Sequence, residues 1–358
     1  MFKKFFGGHL RAGATQENQV PYSVGVSFDD FSMSYVLLKR WDDFVQLDSY
    51  RSVLLKSGVV SNGKIIEMDD LASTLIGLAR DFSRYTDQLV LSLPQPLVTM
   101  EYFDYRVEEG HSMESEAEFR AGKVADLSEI TFDYFMCGEP ETKNNMLLAM
   151  AKLADVESRA YLVEVSDLTL RCLDVEAVAL VNAFSCWINR SLPEAEEELI
   201  AVYHIGLYST QVVFSRRGKI LYANELPVGI VQLFSSMPEY SSWQSAELHT
   251  LVYEELYFDR HAEEAIEPLV QEINRSVGLF SAHEHTLGAD ETSEVERIFL
   301  TGIGAKNPVI EKKLQELLSV PVSVLNPVEV AQKGTKEPLK NDAFALTIPF
   351  GLALRGFL

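Results

Sequence analysis

Residues 22–38 read YSVGVSFDDFSMSYVLL, two runs of alternating apolar residues on either side of Asp29-Asp30. A period of two around a pair of turn-forming acids predicts a β-hairpin. The second half of the chain repeats the pattern. Ile200–Gly206 and Tyr208–Ser215 read as paired strands, Arg217-Gly218 as a turn and Lys219–Glu225 as a third strand. Setting His204 on Ser27 places the two hairpins 177 residues apart. Hairpins are common, so one alone decides little. Two, each opening a half of similar size, predict a duplicated two-lobed protein.

Working outward, a third strand near Arg51–Lys56 precedes a turn at Ser61-Asn62-Gly63. Asp69 or Asp70 can cap a helix whose Leu71, Leu75, Leu78 and Phe82 fall at helical spacing. A buried-type strand, Gln88–Leu93, stops at Pro94 and Pro96. Strands alternating with a capped helix give an α/β class. Residues 98–170 have another texture, rich in acids, Ser and Gly over Glu108–Glu118, with strand-like pieces at Ile130–Phe135 and Met146–Ala149. They predict an inserted α+β subdomain. A strand at Leu170–Cys172 follows, and Asp174 can cap a helix running through Val175, Val178, Ala179, Asn182 and Trp187. Later come a helix from near Pro268, a strand at Arg297–Thr301 and the turn Gly302-Ile303-Gly304. A helix capped by Asn307 with Pro308 at its first position, a strand at Val320–Leu325 and an apolar helix around Phe344–Leu354 complete the half.

Composition narrows the function. The chain has 358 residues, 47% of them hydrophobic, and a formal net charge of −22. That composition supports a folded core, and that charge repels phosphate backbones and argues against nucleic-acid partners. Cys137, Cys172 and Cys186 form no C-x-x-C, so a disulfide framework is not expected and a reducing compartment is. The longest apolar stretch, 177–188, is far short of the roughly 20 residues a spanning helix needs. No signal-peptide core follows Lys3 and Lys4, and a cytoplasmic protein without a membrane span is expected. Phosphate-binding, serine-hydrolase and zinc-protease motifs are missing. His283-Glu284-His285 ends a helix, where positions i and i+2 face different ways, so no metal site is expected.

The order of elements and several phrases resemble the PilM-like proteins of type IV pilus assembly, a branch of the actin-like superfamily. The phrases are VGVSFDDFSMSYVLL, GVVSNGKIIEMDDLASTL, LVLSLPQP, LDVEAVALVNAF, EINRSVGLF, IFLTGIGAKNPVIEKKL, VPVSVLNP and FALTIPFGLALRG, in family order from Val24 to Gly356. The resemblance implies an α/β, actin-like, two-lobed duplicated fold with an α+β insertion of the 1C type. On that template residues 1–19 are a flexible tail, 20–97 and 171–198 form lobe 1A, and 98–170 form 1C. Residues 199–240 and 293–358 form lobe 2A, with a return to lobe 1 at the last helix, and 241–292 form a 2B-like element. The resemblance further implies a non-catalytic cytoplasmic scaffold, a pseudo-ATPase of the type IV or MSHA-type (MshI-like) pilus machine. Its partner would be the cytoplasmic N-terminal peptide of a PilN-like inner-membrane protein, which holds it at the inner membrane, with the pilus motor ATPases beyond. The alternative is an actin-like ATP-binding protein, or an ATPase or sugar-kinase relative.

Departures from the superfamily's nucleotide pattern favour the scaffold. Active members place an Asp on the first strand of each hairpin and Gly, Ser or Thr in the turns. Here Ser27 stands at the first Asp position, Asp29 at a Gly position and Asp30 at a small polar one, with Ser32 beyond. A carboxylate close to a phosphate repels it by about 4 kcal/mol at an effective dielectric near 20. The second hairpin keeps Gly206, Ser209 and Thr210, but His204 replaces Asp, and imidazole is a poor ligand for Mg²⁺. In the adenosine loop Gly302, Gly304 and Ala305 remain, while Ile303 adds bulk and disfavours positive φ. The expected cofactor is therefore none, with Mg-ATP as the alternative. A peptide groove is expected along Pro94, Val98, Tyr102 and Phe103, where the chain passes between subdomains.

Overall fold

Alternation in Tyr22–Phe28 (β1) and Ser32–Trp41 (β2) closes into an antiparallel hairpin with Ser27 opposite Ser34. In the computed structural model, residues 21–41, 44–106, 112–137, 145–231, 266–287, 294–333 and 343–357 are described. The third strand, β3 (Phe44–Leu54), is longer than expected because it pairs along nearly all of β2. A small hairpin follows, β4 (Val60–Ser61) and β5 (Lys64–Ile65), and then α1 (Met68–Phe82). Glu67, not Asp69 or Asp70, is the N-cap of α1. Both aspartates sit in the first turn, where they favour the helix dipole, and Asp70 accepts from Lys56 at 2.7 Å. Next come β6 (Gln88–Leu93) and β7 (Val98–Phe103).

The insertion contains α2 (Met113–Val124), β8 (Ile130–Met136), β9 (Met146–Lys152) and α3 (Leu153–Val165). Its three strands order as β7-β9-β8, all antiparallel. Phe103, Tyr105, Met146, Leu148 and Met150 pack with Ala117 and Ala121 of α2 as its core. The described end of the acidic stretch enters α2 because Ser112 and Ser115 form a reciprocal capping box at its start, and residues 108–111 lie outside the described residues.

After β10 (Thr169–Val175) comes α4 (Glu176–Ser191). Asp174 is not its cap: it lies within β10, beside Ser92 of β6. The second half contributes β11 (Ile200–Ile205), β12 (Thr210–Arg216), β13 (Lys219–Leu226), α5 (Glu267–Leu287) and β14 (Arg297–Thr301). It continues with α6 (Pro308–Leu317), β15 (Val322–Val324), β16 (Gln332–Lys333) and α7 (Thr347–Arg355). Asn307 caps α6 as expected, accepting from the Val309 amide at 2.9 Å.

Two compact units result. One runs up to Ala179 and takes back β16 and residues from Ile348; the other runs from Leu180 to Ala331 and takes in Thr347. The border falls inside α4, earlier than residue 198, because the end of α4 packs on the second sheet, with Trp187 edge-on to Phe299 at 5.4 Å. The sheets order as β10-β6-β1-β2-β3-β16 and β13-β12-β11-β14-β15. Each has a central strand antiparallel to its hairpin mate and parallel to the next, β6 for β1 and β14 for β11. The shift of 177 residues carries the pair Ser27–Ser34 onto His204–Gln211, so the duplication is one of register as well as topology.

On one face of the first sheet α1 meets Tyr35 through Phe82, their rings 5.2 Å apart. On the other, the last helix presses so close that a Cβ on Gly25 would lie 2.1 Å from the Pro349 carbonyl, and one on Gly351 1.9 Å from that of Ala179. Only glycine permits this approach. At the same face Asp174 is buried with Oδ2 3.7 Å from Arg355 Nε, an ion-pair distance too long for a hydrogen bond. Burial raises the Asp174 pKa to about 7, against the opposing pull of Arg355 and the Val175 amide. A carboxyl protonated more readily folded than unfolded stabilises the fold at low pH and loses that contribution as pH rises toward 7. The difference in melting temperature between Asp174→Asn and the parent should therefore grow in the variant's favour from pH 4 to pH 7. A constant difference would show that Asp174 ionises as it does in the unfolded chain.

Candidate functional site

The two hairpin turns are built alike. The Asp29 amide donates to the Ser32 carbonyl at 3.0 Å, and the Gly206 amide donates to the Ser209 carbonyl at 2.9 Å. Their side chains differ. Asp29 Oδ1 accepts from the amides of Phe31 and Ser32 at 2.8 and 2.6 Å. Backbone amides that a bare turn would offer to an anion are thus engaged by the chain's own carboxylate. Asp30 turns to the β4–β5 turn, accepting from the Asn62 and Gly63 amides at 2.9 and 3.1 Å.

Gly63 is itself held from behind. Its carbonyl accepts from Arg159 Nη2 at 2.6 Å, while Arg159 Nε donates to the Ser92 carbonyl at 3.1 Å. The guanidinium lies 5.2 Å from the Phe28 ring at the end of β1. Burial lowers the Arg159 pKa to about 10, with Glu176 and Asp155 opposing, so the group remains charged at neutral pH. Sequence reasoning missed Arg159 because it missed α3. The signal was present: Val156, Arg159 and Val163 share one helical stripe, with an arginine where an apolar residue is expected.

In the second turn, Thr210 is buried and its hydroxyl donates to the Val228 carbonyl at 2.8 Å. The 228–231 segment lies directly on the turn, with Ile230 and Val231 amides donating to the carbonyls of Gly206 and Leu207. His204 faces the α4 side of its sheet with a buried Nδ1 that has no hydrogen-bond partner among the described residues. Burial lowers its pKa to about 4, so the imidazole is neutral at physiological pH.

In the third segment the positive φ falls on Gly302, at 82°, and Ile303 adopts an ordinary 3₁₀ turn without left-handed strain. This corrects the expectation that Ile303 spoils the loop's conformation. A Cβ on Gly302 would lie 2.6 Å from the Ile205 carbonyl, and one on Gly304 2.2 Å from Ile205 Cγ2. Both glycines are demanded by packing against the end of β11, and Ala305 beside them is buried.

Along the expected groove, Pro94 and Val98 are buried, and Phe103 lies in the insertion's core under the Arg120 guanidinium at 4.1 Å. Phe103 is therefore a core residue and not a groove residue. Tyr102 points to the opposite face of β7, half-buried beside Leu147, and burial raises its hydroxyl pKa, with Cys137 adding to the rise. β7 is an edge of its sheet, paired on one side only among the described residues.

The chain matches the family described as type IV pilus assembly protein PilM over residues 25–357. It belongs to that family. A solved structure described as the PilM-PilN type IV pilus biogenesis complex is 19% identical, with a TM-score of 0.79 over 95% of this chain and 100% of that one. The ethanolamine utilization protein EutJ from Carboxydothermus hydrogenoformans is 15% identical, with a TM-score of 0.55 over 94% and 90% of the two chains. Both likenesses place this PilM-family chain in the actin-like fold.

Actin-like folds imply a Mg-nucleotide, and the residues at the turns of this PilM-family chain do not fit one. Asp29 and Asp30 place two carboxylates at the first turn, already bound to backbone amides, and a neutral imidazole stands at the Asp position of the second strand. No group of three or more potential metal-ligating side chains converges among the described residues. The side chains of His283 and His285 lie outside them. Removing the Asp30 carboxylate should expose how much the first turn depends on it. Asp30→Ala leaves the Asn62 and Gly63 amides without their acceptor and should lower stability by about 1 kcal/mol in a denaturant titration. An unchanged midpoint would mean that water replaces the carboxylate at no cost.

Proposed function

We propose that this PilM-family protein is a non-catalytic cytoplasmic scaffold, a pseudo-ATPase of a type IV or MSHA-type pilus machine. In this reading it captures the cytoplasmic N-terminal peptide of a PilN-like inner-membrane protein and links it to the motor ATPases. The observation that carries the reading is the first turn, whose amides serve Asp29 rather than an anion. Family membership and the likeness to a complex described as containing PilN support the choice of partner. No helix among the described residues is long and apolar enough to cross a membrane, which suits a protein held there by another.

The side of β7 that no strand among the described residues pairs with suits an extended peptide, since backbone pairing supplies affinity while side-chain contacts supply register. Tyr102 is the side chain best placed to report on it, because it shares a face with Met100 and Leu147 and stands apart from the Phe103 cluster. The expected result is that Tyr102→Ala weakens binding of the PilN-like peptide more than tenfold, or about 1.4 kcal/mol, with an unchanged melt. A melt that falls in step with affinity would return Tyr102 to the core and remove β7 from the groove. Calorimetry with Mg-ATP is expected to show no micromolar binding. Such binding, lost in His204→Ala, would overturn the pseudo-ATPase reading. Fractionation of cells lacking the PilN-like protein should find this chain in the soluble fraction, and persistent membrane association would refute that partner as its tether.

A further inference from the structure

The side of the second sheet that α4 covers holds a polar group with no assigned role. The β12–β13 pairing shifts register between Phe214 and Ser215, a bulge of the kind that re-aims a side chain. Ser215 is 1% exposed, and its Oγ has no hydrogen-bond partner among the described residues. A buried hydroxyl without a partner is uncommon and costs stability unless something meets it. It lines a partly enclosed recess of about 110 Å³ between α4 and the β12–β13 turn. Phe184, Ile188 and Ile200 supply the apolar lining, Ser185 adds a second hydroxyl, and Glu196 adds a carboxylate.

The charges around the recess are unequal. Arg217 also lines the recess, and its guanidinium is ion-paired with Glu197. Glu198 is held by Arg297 through two bonds of 2.6 and 3.0 Å. Glu196 has no ion-pair partner among the described residues. The recess therefore combines an apolar wall, hydroxyl and amide groups of Ser185, Ser215 and Asn189, a guanidinium already paired with Glu197 and, in Glu196, a carboxylate without an ion-pair partner among the described residues. That combination matches a long cationic side chain, whose methylene stem covers apolar surface while its head finds acceptors. The chain's charge of −22 draws basic segments toward it.

We propose that this recess receives an arginine side chain from a basic segment of a partner protein, making the second unit a docking surface independent of the PilN-like peptide. The stem lies on Phe184, Ile188 and Ile200. The guanidinium donates to the Ser185 hydroxyl and faces Glu196, and a turn of the Ser215 side chain toward the recess lets its buried hydroxyl accept as well.

The test titrates N-butylguanidinium, a bare arginine side chain, into the full-length protein and follows backbone amides by NMR. Saturable shifts at the Ser215 and Gly218 amides, with millimolar affinity, are expected. Glu196→Gln should weaken binding at least tenfold, as should replacing the probe with neutral N-butylacetamide. Ser185→Leu, which fills the recess, should abolish the shifts. Ser215→Val keeps the shape and removes the orphan hydroxyl, so it should leave the melt unchanged or raised while weakening binding. No saturable shift would mean that the recess holds water only and would overturn the proposal. Equal binding of the neutral probe, or binding untouched by Glu196→Gln and Ser215→Val, would overturn it equally, even if Ser185→Leu failed to fold.

Discussion

The buried guanidinium of Arg159 is the interaction on which the turns of the first unit depend. It comes from the inserted subdomain, yet its bonds go to the carbonyls of Ser92 at the end of β6 and Gly63 in the β4–β5 turn. Gly63 and Asn62 in turn bind Asp30 in the first hairpin turn. A buried cation is tolerated only when its donors are met, and here backbone carbonyls meet them while acidic neighbours oppose its loss of charge. The insertion, the small hairpin and the first turn are thereby fixed as one polar network within a single unit.

That network bears on what was legible in the sequence. Alternation around Asp29-Asp30 and its repeat at 177 residues revealed the hairpins, the duplication and the relation of Ser27 to His204. These are local signals, since period-two patterning and turn chemistry act within ten residues of each other. The partners of Asp29 and Asp30 were not legible. A carboxylate in a turn can face solvent, a metal or neighbouring amides, and only the fold brings Asn62 within 2.9 Å of Asp30. Asp174 shows the same limit. It sits at a sequence position suited to capping, but parallel pairing with β6 extends the strand through Val175 and denies it the role. The groove residues suffered from alternation read without a sheet: Tyr102 and Phe103 are adjacent in sequence and therefore on opposite faces, so a single role for both was excluded by geometry. Helix α3 was lost to a buried arginine, which lowers the apparent amphipathicity of an otherwise regular stripe.

The retained glycines illustrate why motif counting is a weak guide in this superfamily. Gly302 and Gly304 lie where a nucleotide loop would need them, and both are required because Ile205 occupies the space that a Cβ would enter. Side chains that would have to meet charge carry more information than the glycines do, and at Asp29, Asp30 and His204 they point the same way.

The absence of Asp at position 27 follows from the charges around it. Ser27 shares with Ser92 and Asp174 the face of the first sheet that packs on the last helix, because Gly25, Val90 and Cys172 lie across from one another on it. That face already buries the Asp174 carboxyl, which among the described residues is ion-paired with the guanidinium of Arg355. Neighbouring strands lie about 4.8 Å apart, so an Asp at 27 would place a second carboxylate about 10 Å from the first. Repulsion between two ionised carboxylates at that distance is about 2 kcal/mol at an effective dielectric near 20, before any cost of burial. A divalent cation would have to offset both. With the neighbouring turn closed by Asp29 and Asp30, a neutral hydroxyl at 27 is the choice that leaves Arg355 sufficient for the charge present.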